Sequence, residues 1–290
     1  MHPAPSIIAF TTLSGLGFGL LFWLGVDPDP ARGWVAFVFY AIAFALAGGG
    51  LMASAFHLGR PERALKAFSQ WRSSWLSREA WAAAAALVVM GLHGAALILF
   101  DIHLSALAWP GAALSLFAVF ATSMIYTQLK SVPRWHHWST PVLFLLYALG
   151  GGALLSGRVG IGMALIALAA LAQAYWWWDG DRRFARSGTT MASATGLGPI
   201  GSVRAFEPPH TGSNYLLREM VHVVGRKHAQ KLRVIALLLI AVVPAFFLLL
   251  PFGHLFALVA VIAHIAGVLV ARWLFFAEAE HVVGLYYGKR

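Results

Sequence analysis

Residues 34–100 decide the fold, and they read as three blocks. Residues 34–56 (WVAFVFYAIAFALAGGGLMASAF) and 80–100 (AWAAAAALVVMGLHGAALILF) hold no Asp, Glu, Lys or Arg. Between them, residues 57–79 (HLGRPERALKAFSQWRSSWLSRE) carry Arg60, Arg63, Lys66, Arg72 and Arg78 with Glu62 and Glu79. A helix needs about 20 apolar residues to cross the hydrocarbon core of a bilayer. The stretch therefore predicts two crossing helices joined by a basic connection.

The same criterion applied outward marks 7–25, 105–127, 139–157, 159–178, 232–252 and 254–276. The expected fold class is an all-α integral membrane protein with eight transmembrane helices, forming one polytopic domain over 1–290. Composition agrees: 60% of the 290 residues are hydrophobic and 11% charged, where a soluble domain carries about 25% charged. The 12 Trp residues suit membrane interfaces. The absence of Cys excludes disulfides, thiolate iron–sulfur ligation and a Cys nucleophile in this chain. A net charge of +10 suggests nucleic acid at first sight, but the charges lie between apolar runs rather than on one soluble face. The first apolar run lacks a basic leader and an A-x-A site, and is expected to be a retained helix.

Charge then sets orientation. The 57–78 connection has five Lys or Arg, 128–138 has two, 179–233 has nine and the tail two, which puts eighteen on one side. The other side has Arg32 and Arg158, and Arg272 lies within the last run. The positive-inside rule places both termini and the basic connections in the cytoplasm. The longest of these, 179–231 between the sixth and seventh helices, is rich in Gly, Ser, Thr and Pro, as functional or disordered loops are.

The residues able to carry chemistry are few. Gly59-Arg60-Pro61 ends the second helix, and Pro61 can open a new one. Leu65, Phe68, Trp71 and Trp75 opposite Arg63, Lys66 and Arg72 predict an interfacial helix between the second and third crossings. Ser77 can cap the third helix, with Glu79 in its first turn. His57 and Glu79 then sit at one depth on adjacent helices, where an imidazole and a carboxylate can hydrogen-bond a quinone ring and relay its protons. The plainer reading makes Glu79 a helix-dipole partner and His57 an interfacial polar residue. His93 and His264 lie inside helices, as haem ligands or as neutral cross-helix hydrogen-bonding groups. Gly48-Gly49-Gly50 and Gly150-Gly151-Gly152 read as close-packing patches. No metal-binding motif, Walker motif or dinucleotide fingerprint is in place.

Phe56-His57-Leu58-Gly59-Arg60-Pro61 with Ser77-Arg78-Glu79 resembles the membrane anchor subunits of the dimethyl sulfoxide reductase family. Met124-Ile125-Tyr126, Val132-Pro133-Arg134-Trp135, Thr140-Pro141 and Arg272 before Phe275-Phe276 are similar too. The resemblance implies a subunit that anchors an iron–sulfur electron-transfer subunit and a molybdopterin catalytic subunit in the bacterial inner membrane. It also implies electron exchange with ubiquinone or menaquinone, with no haem in the anchor and with the iron–sulfur clusters and molybdopterin confined to the partners. It implies a quinone site at His57, Gly59, Arg60, Arg78 and Glu79, with Tyr126, Arg134 and Arg272 nearby. The 179–231 loop would then dock the iron–sulfur subunit. The cytoplasmic charge is closer to the anchor of a sulfite-oxidising relative than to a menaquinol-oxidising DMSO reductase. A transporter and a di-haem cytochrome b are the readings from other classes.

Overall fold

The computed structural model describes residues 1–56, 60–207, 209–221, 226–251 and 253–288. Among the described residues it is helical throughout, without strands. The helices are α1 (Pro5–Gly25), α2 (Gly33–Ala55), α3 (Trp75–Leu99), α4 (Ser105–Thr127), α5 (Ser139–Leu155), α6 (Val159–Arg186), the five-residue α7 (Met191–Thr195), α8 (Ala229–Leu248) and α9 (Gly253–Ala277). All but α5 and α7 are long and apolar enough to cross a membrane; α5 is apolar but has 17 residues. Each apolar run thus becomes a helix.

The ends differ from expectation where polar residues continue a helical pattern. The sixth run was expected to stop at residue 178, yet α6 continues to Arg186. Arg183 donates from Nε to Asp179 one turn earlier at 2.6 Å, so the start of the 179–231 segment is helix rather than loop. α3 begins at Trp75 with no side-chain cap. Ser77 instead accepts from the Gln70 N–H at 3.3 Å. The segment Pro61–Phe68 is a short 3-10 helix leaning on α3, with the Trp81 indole N–H donating to the Phe68 carbonyl at 3.0 Å.

α1 is the central helix, with 67% of its apolar window buried against 17% for α8. It packs on α2, α4, α5 and α9. In hydrocarbon no hydrophobic force drives helices together, so close backbone approach and dispersion hold them. Gly19 of α1 lies against the Ala148 backbone, and Gly152 of α5 against Gly19 itself, so a methyl at either would meet main chain. Of the first glycine patch Gly50 packs this way, on Ser14, whereas Gly48 and Gly49 face open space.

Cross-helix pairs sort the connections into two ends. At one end Arg158 meets Asp27 at 2.6 Å and Arg32 meets Asp101 at 3.7 Å. At the other, Arg134 meets Asp181, Arg233 meets Asp181 and Glu278, and Val282 N–H bonds the Ser131 carbonyl. The second end, here the charged end, gathers the 128–138 connection, the end of α6, the start of α8 and the tail. There the C-terminal helix Val282–Tyr287 ties down the long loop: Tyr286 donates to the Ala194 carbonyl at 2.9 Å and Asn214 to Tyr287 at 3.1 Å.

Pro244 within α8 has no N–H, so the Ile240 carbonyl loses its usual helical donor. His264 of α9 supplies one, donating from Nδ1 at 2.9 Å, beside a π-helical turn over Leu238–Val242. This is the cross-helix role that the plainer reading of His264 expected. Likewise the Nδ1 of His93 pairs with the Tyr40 hydroxyl at 2.6 Å.

Two outcomes follow. Gly152→Leu, which drives a side chain into the α1 backbone, is expected to cost about 3 kcal/mol, the upper end of the usual overpacking range, and to abolish monodisperse protein in detergent, whereas Gly48→Leu leaves it intact. His264→Phe is expected to lower thermal stability by ~1–3 kcal/mol by orphaning the Ile240 carbonyl. Adding Pro244→Ala should restore part of that loss, and a strictly additive double-mutant cycle would contradict the assignment.

Candidate functional site

The first turns of α3 set the site. Residues 78 and 79 are adjacent, so their side chains leave the helix about 100° apart. Glu79 turns inward and is 5% exposed. Its partner is Thr122 of α4, whose hydroxyl also bonds the Ala118 carbonyl at 3.0 Å. A hydroxyl has one proton and two lone pairs. Thr122 can therefore donate to an ionised Glu79, or accept from a protonated one while donating to Ala118.

Beyond Thr122 lies a polar cavity of about 10 Å³ at the heart of the bundle, also lined by Thr11, Thr12, Ser14, Tyr147 and Arg272. That is about the room one water needs. Arg272 is 2% exposed. It stacks over the Phe144 ring at 3.4 Å and near Tyr147 at 5.2 Å. Its Nε and Nη1, and the Thr12 hydroxyl, have no partner among the described residues. Tyr126 lies within electrostatic reach of both Glu79 and Arg272. Thr122 thus stands between the Glu79 carboxyl and a cavity that the Arg272 guanidinium also lines.

Arg78 turns the other way. Its Nε donates to the Trp71 carbonyl at 3.0 Å and its Nη2 to that of Arg72 at 2.7 Å, and it covers the Trp75 ring at 4.4 Å. It clamps the connection before α3. It also forms one wall of an apolar groove of about 670 Å³ with Trp71, Trp81, Ala82, Ala85, Leu114 and Phe117. Glu79 and this groove flank the same two turns of α3.

The other expected residues fall elsewhere. His57 and Gly59 lie outside the described residues. Arg60 is exposed at the start of the Pro61–Phe68 helix. Arg134 sits apart from Glu79, in the ion network of the charged end, 2.7 Å from Asp181 and 3.9 Å from Glu278. Burial there raises the Glu278 carboxyl above the usual carboxylate range, against the pull of Arg134 and Arg233. Thr122, Thr12 and Tyr147 were not among the expected residues. One signal for Thr122 was available: Ser115, Thr122 and Tyr126 fall on one face of an otherwise apolar helix.

Comparison with known proteins identifies the family. No solved structure matches the chain. The C subunit of the sulfite dehydrogenase from Allochromatium vinosum is 30% identical, and the match covers 99% of each chain. The family of the DMSO reductase anchor subunit (DmsC) matches residues 2–175, which include α1 to α5, Glu79, Thr122 and the groove. The chain therefore belongs to the DMSO reductase anchor subunit (DmsC) family and is a multi-pass membrane anchor of an oxidoreductase complex.

Proposed function

We propose that this chain is the quinone-reactive anchor of a molybdopterin and iron–sulfur complex that passes electrons from sulfite oxidation to the quinone pool at the cytoplasmic face. The observation that carries the proposal is the buried Glu79 carboxyl, bonded to Thr122 beside an apolar groove at the charged end. A quinone ring takes up two electrons and two protons when it is reduced. Sulfite and water give sulfate, two protons and two electrons, so the two half-reactions balance.

The residues present fit a quinone. Glu79 faces the interior rather than the groove, and from there can hold a proton at its carboxyl and relay it toward a ring bound at the α3–α4 face, with Thr122 accepting or donating in step. The groove walls of Trp71, Trp81 and Phe117 suit an isoprenoid tail, and Arg78 stands at the rim. Arg272 and Tyr126 set the charge and polarity behind Glu79. His57, Gly59 and Arg60 precede the Pro61–Phe68 helix, which we place along the membrane interface. Leu65 on it is 82% exposed, as a side chain in contact with lipid would be.

The topology we propose has eight crossings with both termini in the cytoplasm of a bacterial inner membrane. α5 at 17 residues is about 25 Å long. It starts next to Arg134 and Trp135 at the charged end and hands over to Arg158 beside Asp27 at the opposite end, so it runs between the two faces. The excess of Lys and Arg at the charged end supports the orientation. The 179–231 segment then lies where an iron–sulfur partner would dock. Ile200 at 84% exposure and Phe206 at 92% supply apolar anchors for it. The full-length likeness to a component of a sulfite dehydrogenase favours sulfite over a DMSO reductase-type reaction.

The test is sulfite-dependent quinone reduction by the isolated complex, with metal analysis of the subunits that co-purify. Glu79→Gln is expected to lower turnover by ~100-fold or more, and Thr122→Val by about tenfold, with molybdenum and iron content unchanged. Unaltered turnover in Glu79→Gln would overturn the site. A preparation without molybdenum and iron would overturn the partners.

A further inference from the structure

A second polar pocket, of about 440 Å³, lies at the charged end between the 128–138 connection and the extension of α6. It shares no residue with the Glu79 cavity or the groove beside Trp81. Its wall carries Lys130, His136, His137, Asp179, Arg183 and Arg186. Positions 179, 183 and 186 fall on one stripe of α6. They reach the pocket because that helix continues beyond its apolar run.

The pocket offers donors in excess. Asp179 is its one carboxylate among the described residues, and two guanidiniums already hold it: Arg183 Nε at 2.6 Å and Arg186 Nη1 at 2.5 Å. Lys130 adds a third cation. Arg183 is fixed in place, since Nη1 donates to the Arg134 carbonyl at 2.7 Å and Nη2 to the Ser139 hydroxyl at 2.9 Å. Arg186 spends one nitrogen on Asp179, and its side chain remains 57% exposed, leaving N–H groups free for a ligand. Ser139 N–H donates to Nδ1 of His137. Burial and Arg183 lower the pKa of that imidazole, and its Nε2 stands 4.0 Å from Asp179 Oδ2. Donors around a net positive centre, two of them planar guanidiniums, recognise a phosphate group.

Depth indicates the source of that phosphate. His137 of the pocket wall lies 5.2 Å, ring to ring, from Trp138, which begins a row with Tyr175 and Trp178 whose centroids are 6.1 Å apart at each step. Trp138 is 62% exposed and Trp178 55% exposed, at the end of an apolar helix. Exposed Trp and Tyr in this position mark the headgroup level of a bilayer. A lipid lying along these rings would bring its phosphate to Arg186 and Lys130. We propose that this pocket binds the headgroup phosphate of an anionic membrane lipid. The ligand is held by the anchor itself, independently of any quinone.

The experiment titrates the purified complex in detergent with short-chain phosphatidylglycerol, short-chain phosphatidylcholine or inorganic phosphate, and follows thermal unfolding. Phosphatidylglycerol is expected to raise the unfolding temperature saturably, with phosphatidylcholine and inorganic phosphate far weaker. Lys130→Gln with Arg186→Gln should weaken the phosphatidylglycerol response by about tenfold or more, while Arg186→Lys retains most of it. Both residues are on the surface, and circular dichroism checks that the variants fold. An equal response of wild type and the double variant would overturn the pocket. An equal response to inorganic phosphate would overturn the lipid source, and an equal response to phosphatidylcholine the charge requirement. Loss of a co-purifying subunit from the double variant, with the lipid response intact, would show instead that the pocket docks an acidic protein segment.

Discussion

Hydrocarbon provides no hydrogen-bond partner, and several polar groups inside this bundle are paired across helices for that reason, although Nε2 of His93 and of His264 has no partner among the described residues. Pro244 leaves the Ile240 carbonyl without its helical donor, and His264 answers it from the neighbouring helix. The Tyr40 hydroxyl answers His93 in the same way. Glu79 is answered by Thr122. Arg272 has aromatic faces and a water-sized polar space in place of a carboxylate. Where there is no polar group to satisfy, glycines bring main chain against main chain, as at Gly19 and Gly152 around the central α1. Closeness of packing and satisfaction of polar groups are thus two results of one solvent.

At the charged end the polar groups are ions, largely buried, that answer one another. Arg134, Asp181, Arg233 and Glu278 join the α4–α5 connection, the end of α6, the start of α8 and the residue after α9. Such networks contribute little net stability, since desolvation offsets much of the attraction. Their value here is registration: four elements are held at one depth beneath the loop that carries Ile200 and Phe206. The proposed lipid pocket on the α6 extension and the 179–231 segment share this frame. A partner seated on the loop would therefore sit on an anchor whose helix ends are fixed both to one another and to the headgroup layer.

Much of this was legible in the sequence, for physical reasons. Long apolar runs give helices because apolar length is a local property, and each of the eight became one. Ends were less legible. The α6 extension rests on the i,i+4 pair of Asp179 and Arg183, which a hydropathy window reads as loop. Of the glycine patches, Gly50 and Gly152 could not be told from Gly48 and Gly49 without knowing which face met α1. Glu79 was singled out, but its partner lies 43 residues away on another helix. Long-range pairing of that kind leaves no mark in local spacing beyond a polar stripe on α4. Arg78 and Glu79 read as one motif, yet adjacent positions on a helix face apart, and they serve the groove and the interior respectively.

The proposed quinone site lies where α3 and α4 meet at the charged end. Photolabelling of the complex with a photoreactive quinone, followed by peptide mapping, tests it most directly. Labelling confined to residues 71–85 and 114–122, and suppressed by excess unmodified quinone, is the expected result. Competable labelling on α8 or on the opposite ends of the helices, with none on α3 or α4, would contradict it.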